Sequence, residues 1–127
     1  MKIPQTSVSS ADMDIQIKRV YASAAPEDGI RILVDRLWPR GLTRQQLPHA
    51  RWLKEIAPSP ALRKWFGHDP ANWIVFQQRY RQELATNPNV AILLDYARAG
   101  RLTLLYAARD PDCNHARVLQ NYLLAQQ

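Results

Sequence analysis

Residues 30–35 read IRILVD. Ile30, Ile32, Leu33 and Val34 make this run almost continuously apolar and rich in β-branched side chains. A strand with one wet face alternates apolar and polar residues. A continuous run suits a strand covered on both faces, as in a parallel or mixed sheet. Trp38-Pro39-Arg40-Gly41 breaks the run. A second stretch of this kind, LTLLYA, lies at 102–107. Upstream, DIQIKRVY at 14–21 alternates Ile15 and Ile17 with polar neighbours and reads as a further strand. ASAAPEDG at 22–29 is a loop by composition. RWLKEI at 51–56 is read as a third short strand, with a turn of helix as the alternative.

From the third strand onward one device recurs. Ser59-Pro60, Asp69-Pro70, Asn87-Pro88 and Asp110-Pro111 each set a capping side chain before a proline. The side-chain oxygen accepts from free helix N–H groups, and a proline in the first helical position gives up no needed donor. Four helix starts follow, with helices expected over 60–66, 70–84, 88–98 and 111–125. Gly67 and Gly100 stand where the first and third should stop. The order β, β, (β), α, α, α, β, α implies a single α/β layered domain, a small mostly parallel or mixed central sheet flanked by helices. It is expected to span residues 13–127, after a flexible tail at 1–12, with either Met1 or Met13 as a start.

The chain has 127 residues, of which 46% are hydrophobic and 22% charged. That length favours one domain able to build its own core. No apolar run approaches the roughly 18 residues of a membrane span, so no membrane partner is expected. The single cysteine, Cys113, cannot form an internal disulfide, which fits a reducing cytoplasm. His49, His68 and His115 show no metal-binding spacing, and neither metal nor cofactor is expected. Walker, GxGxxG and GxSxG motifs are absent. Seventeen Lys+Arg against eleven Asp+Glu give a net charge of +6. Most of these cations are arginine, whose planar fork suits phosphate and carboxylate. Anionic small molecules and nucleic acid are the partner classes this charge favours.

Ligands of open α/β sheets bind beyond the carboxyl ends of the strands. Here those ends carry Asp35-Arg36, with Arg40 close behind, then Ser59, and finally Tyr106 followed by Arg109-Asp110. If the ends are adjacent, Arg36, Arg40 and Arg109 surround an anion. Asp35 then orients an arginine or acts as an acid or base, Arg36 is an electrostatic clamp, and Tyr106 and Ser59 donate hydrogen bonds. Asp35 has a plain structural reading as an ion-pair partner of Arg36 or Arg63. Asp110 and Ser59 have one as helix caps. Cys113 falls in the expected first turn of the last helix, where the dipole favours a thiolate. Its spacing to Arg117 does not match a phosphatase-like loop. His68, after Gly67, is read as meeting helix-end carbonyls. Lys54 points either to solvent or into the site.

RILVDRLWPRGL at 31–42, WLKEIAPS at 52–59, LRKWFGHDP at 62–70 and LLYAARD at 104–110 resemble the YeaO-like branch of the domain-of-unknown-function 488 (DUF488) family. The resemblance covers residues 14–124. It implies a small bacterial α/β protein and carries the polar set Asp35, Arg36, Arg40, Ser59, Tyr106, Asp110 and Asn114 onto these positions. Cys113 stands where relatives often have histidine, which argues against a cysteine mechanism. The leading expectation is therefore the binding, with or without chemical processing, of a phosphate-bearing small molecule such as a nucleotide or sugar phosphate. A nucleic-acid binding or processing module is the first alternative, and a non-catalytic protein-interaction domain the second. Arginines gathered in a concavity favour the small ligand, and a broad convex stripe favours nucleic acid.

Overall fold

The computed structural model describes residues 13–43, 45, 51–67, 69–110 and 113–126. The tail at 1–12, His49, His68 and Pro111 lie outside them. Four strands form one sheet: β1 (Ile15–Arg19), β2 (Ile30–Leu33), β3 (Arg51–Trp52) and β4 (Leu102–Tyr106). The spatial order is β1-β4-β2-β3, and every pairing is parallel. β4, the most apolar strand, therefore sits between β1 and β2, and all five of its residues are buried. Among the described residues there are four α-helices: α1 (Pro60–Phe66), α2 (Trp73–Ala85), α3 (Asn89–Ala99) and α4 (His115–Leu124).

Three sequence boundaries are corrected. Only Arg51–Trp52 of 51–56 is strand, and Lys54–Ile56 is a 3-10 turn. The second expected helix opens with a 3-10 turn at Pro70–Asn72 before α2 begins. The last helix starts at His115, not at 111, because Asn114 is its N-cap and accepts from the Arg117 N–H at 2.9 Å. Asp110 instead accepts from the Cys113 N–H at 3.1 Å, so it shapes the loop before the helix. The capping device holds at Ser59 and, for a 3-10 turn, at Asp69, whereas Pro88 is itself the N-cap of α3 and Asn87 sits one residue before it. Ser59 accepts from Leu62, Asp69 from Ala71 and Asn87 from Asn89.

The two sheet faces are covered differently. Ile15, Ile32, Val34, Leu102, Leu104 and Tyr106 join apolar residues of all four helices in one large core. The second face holds a small cluster, Val20, Leu33 and Leu105, packed by Trp38, Leu42, Trp52 and Ala107. No helical residue enters that cluster, so among the described residues the helices lie on one side of the sheet.

A polar clamp joins β1 to β2 near the other end of the sheet. Lys18 reaches both oxygens of Asp28 at 3.1 Å, and Arg31 Nε lies 3.4 Å from Asp28 Oδ2. The Asp28 carbonyl accepts from the Thr103 hydroxyl at 2.7 Å. Burial alone would raise the Asp28 pKa. The Ala25 N–H and the Lys18 ammonium outweigh it and hold the carboxyl below its ordinary 3.8. A depressed carboxylate adds stability above its unfolded-chain value and loses it as pH falls through the lower folded one. The stability difference between wild type and Asp28→Asn, measured by urea unfolding, should therefore shrink between about pH 6 and about pH 3. A difference that stays constant over that range contradicts the clamp.

Candidate functional site

Parallel pairing brings the carboxyl ends of β1, β2 and β4 to one edge of the sheet. A cavity of about 390 Å³ opens there. Tyr21 follows β1, residues 35–40 follow β2, and Ala107 and Ala108 follow β4. Ala57, Pro58, Arg63, Phe66, Phe76, Asn114 and His115 close it from the helical side. The turn after β2 is held in shape by Gly41, in the left-handed region at φ 79°, and by the Trp38 indole, which donates to the Leu42 carbonyl at 2.6 Å. This turn carries Arg40 to the cavity mouth, where its carbonyl accepts from the Tyr21 hydroxyl at 3.0 Å.

Asp35 stitches the site together. Its Oδ2 accepts from the Ala107 N–H at 3.0 Å, tying the end of β2 to the end of β4. Its carbonyl accepts from the Trp52 indole at 2.7 Å. Its Oδ1 lies 3.2 Å from His115 Nε2. That nitrogen also stands 2.9 Å from the Val34 carbonyl, which can only accept, so Nε2 carries the proton. The bond to Val34 takes that hydrogen. Oδ1 is therefore buried beside the imidazole without a hydrogen bond of its own. Tyr80 packs against the His115 ring and donates to the Ile56 carbonyl at 2.7 Å. Burial, reinforced by Glu83 and Asp35, holds the Tyr80 hydroxyl well above its ordinary pKa of 10. It remains a donor throughout the physiological range.

Three guanidinium-bearing residues line the cavity, and they are not equivalent. Arg36 spends Nε and Nη2 on the carbonyls of Pro58 and Ala57, each at 3.3 Å. It anchors the segment ahead of α1. Arg40 and Arg63 are exposed, and no described carboxylate lies within ion-pair distance of either. The expected pairing of Asp35 with Arg36 or Arg63 is thus replaced by a pairing with His115.

The structure gathers part of the expected site. Asp35, Arg36, Arg40 and Asn114 line one cavity. Asn114 does so as a structural residue, since its amide also donates to the Asp110 carbonyl at 2.9 Å. Tyr106 is buried in the main core and does not line the cavity. Ser59 caps α1 and bonds Glu83 through its hydroxyl at 2.6 Å, facing a shallower depression between α1 and α2. Arg109 and Asp110 are exposed and outside the lining. Cys113 precedes the helix rather than entering its first turn. Lys54 is exposed, with its ammonium 5.5 Å from the Trp52 ring centre.

Sequence reasoning missed His115 as the partner of Asp35, because the residues lie 80 positions apart and no local motif links them. It also left Arg63 out of the anion cluster in favour of Arg109. The missed signal was the short first helix. Seven residues bounded by Ser59 and Gly67 bring Arg63 within reach of the strand ends.

A family model described as "Inactive DUF488-N3 subclade" matches residues 14–127. The chain belongs to the YeaO-like branch of the DUF488 family. It is 46% identical over 112 residues to uncharacterized protein YeaO of Escherichia coli (strain K12), covering 87% of this chain and 97% of that one. It is 36% identical over 109 residues to uncharacterized protein Mb3100c of Mycobacterium bovis, covering 86% and 92%. An uncharacterized Mycobacterium tuberculosis protein, Rv3073c, matches at the same identity and coverage. No solved structure matches the chain. In this DUF488 protein the string VDRLWPRG contributes Asp35, Arg36, Trp38, Pro39 and Arg40 to the cavity wall. No helix among the described residues is long and apolar enough to cross a membrane.

Proposed function

We propose that this protein binds an anionic, phosphate-bearing small molecule in the cavity at the strand ends. One observation carries the reading: Arg40 and Arg63 line a concavity and have no carboxylate partner among the described residues. Arg36 adds a third positive charge, against the single carboxylate of Asp35. Such a field draws a dianion, and the guanidinium fork grips its oxygens in pairs. The same concavity favours a small ligand over nucleic acid. Binding rather than turnover fits the commitments of the polar groups. Asp35 Oδ2 is taken by the Ala107 N–H, Oδ1 is shut off from solvent beside His115, and Tyr106 is sealed in the core. The word "inactive" in the family description agrees with that reading.

Calorimetric titration with inorganic phosphate tests it. A charge-assisted hydrogen bond is worth about 1.5–3 kcal/mol, so Arg40→Ala and Arg63→Ala should each weaken binding by roughly tenfold to a hundredfold. Both side chains are exposed, and neither change should disturb folding. Unaltered affinity in both variants contradicts the assignment. Binding to single-stranded DNA alone, collapsing as salt rises, would move the reading to nucleic acid.

A further inference from the structure

We infer that the anion this pocket takes is carried on a flat apolar group, so that aryl phosphates are preferred over sugar phosphates and over inorganic phosphate. The inference rests on the anion-binding reading above and specifies its ligand class.

The polar inventory of the wall supports it. A sugar presents several hydroxyls, and each needs an acceptor once it leaves water. Several of the acceptors lining this cavity are already engaged. The carbonyls of Ala57 and Pro58 take the Arg36 guanidinium, and those of Ala107 and Ala108 take Arg19. The Arg40 carbonyl takes the Tyr21 hydroxyl. Asp35 Oδ2 takes the Ala107 N–H, and Oδ1 is closed off from solvent. Asn114 Oδ1 caps α4. The guanidinium groups of Arg40 and Arg63 are unengaged donors, and the His115 ring adds one acceptor, Nδ1.

The remaining wall is apolar. Phe66 and Phe76 stack with ring centres 4.3 Å apart and planes 19° apart. Pro39, Pro58 and Ala57 are buried, and Leu37 stands 64% exposed at the rim. Inorganic phosphate would leave this surface wet. A planar apolar body would cover it while its phosphate meets the arginines.

Titrations of the full chain with phenyl phosphate, glucose 6-phosphate and inorganic phosphate test the inference. Phenyl phosphate should bind at least about tenfold tighter than either of the others, as burial of one aromatic face suggests. Arg63→Ala should weaken phenyl phosphate and inorganic phosphate in parallel. Equal affinity for all three anions overturns the apolar preference and leaves the anion site standing. Phenyl phosphate binding that ignores Arg63→Ala places the aryl site elsewhere and overturns it too. Silence with all three anions overturns the anion-binding reading itself.

Discussion

Replacing Asp35 by alanine should lower the stability of the domain by about 2–3 kcal/mol, because one carboxylate serves two strands and a helix. Its loss leaves the Ala107 N–H without its acceptor at the end of the central strand. It also removes the negative charge 3.2 Å from His115 Nε2. An unsatisfied buried donor costs about 1–3 kcal/mol, and a charged acceptor places the loss toward the upper end. For a domain of this size the melting temperature should fall by roughly 8–12 °C. Asp35→Asn keeps an oxygen for Ala107 and should lose about half as much. Thermal unfolding of the three proteins checks this. A melting temperature for Asp35→Ala within about 2 °C of wild type would remove Asp35 from the architecture of the site.

Gly29→Ala should cost about 3 kcal/mol or more. Gly29 ends the 3-10 turn Pro26–Asp28 at φ 66° and ψ −130°, a conformation that L side chains rarely adopt. An added Cβ would also drive into the Arg101 carbonyl oxygen, which is backbone and cannot swing aside. That oxygen accepts from the Ile30 N–H at 2.9 Å, so the clash falls at the entry of β2. Gly41→Ala isolates the two causes. Gly41 has a positive φ of 79°, but nothing lies within 4 Å of its would-be Cβ. It should lose only about 1 kcal/mol, the conformational share. Denaturant melts of both variants decide it. Equal losses would mean that the close approach to Arg101 contributes nothing.

The pattern of apolar residues made the sheet legible. IRILVD and LTLLYA read as strands covered on both faces, and β2 and β4 are the two inner strands. Their parallel arrangement puts Asp35, Arg36 and Arg40 at one edge, as the strand-end rule requires. Ser59-Pro60 and Asp69-Pro70 marked helical starts because a cap and its proline are local chemistry, and Asn87-Pro88 fell within a residue of one. Asp110-Pro111 carried the same signature, yet the helix waits for Asn114. The Asp110 side chain serves the Cys113 N–H while the carbonyl takes the Asn114 amide. Local pattern could not reveal which of two capping residues the tertiary structure would use. Pairings across long sequence separations were equally hidden. Tyr106 was expected at the cavity because it ends β4. Strand alternation instead sets it on the same face as Leu102 and Leu104, inside the main core. The reversal of roles between Arg36 and Arg63 has a similar origin. Sequence counts charges, but the carbonyls of Ala57 and Pro58 decide which guanidinium is already occupied.

The proposed anion sits at the strand ends, between Arg40 and Arg63. Amide NMR of the labelled chain during titration with phenyl phosphate tests it most directly. The shifts should gather at residues 35–40, at Ala57 and Arg63, and at Ala107, Ala108 and His115, and should be lost in an Arg40→Ala/Arg63→Ala double variant. Shifts that gather instead around Lys18, Asp28 and Arg31, or along the outward cations Lys64, Arg79 and Arg81, would contradict the account.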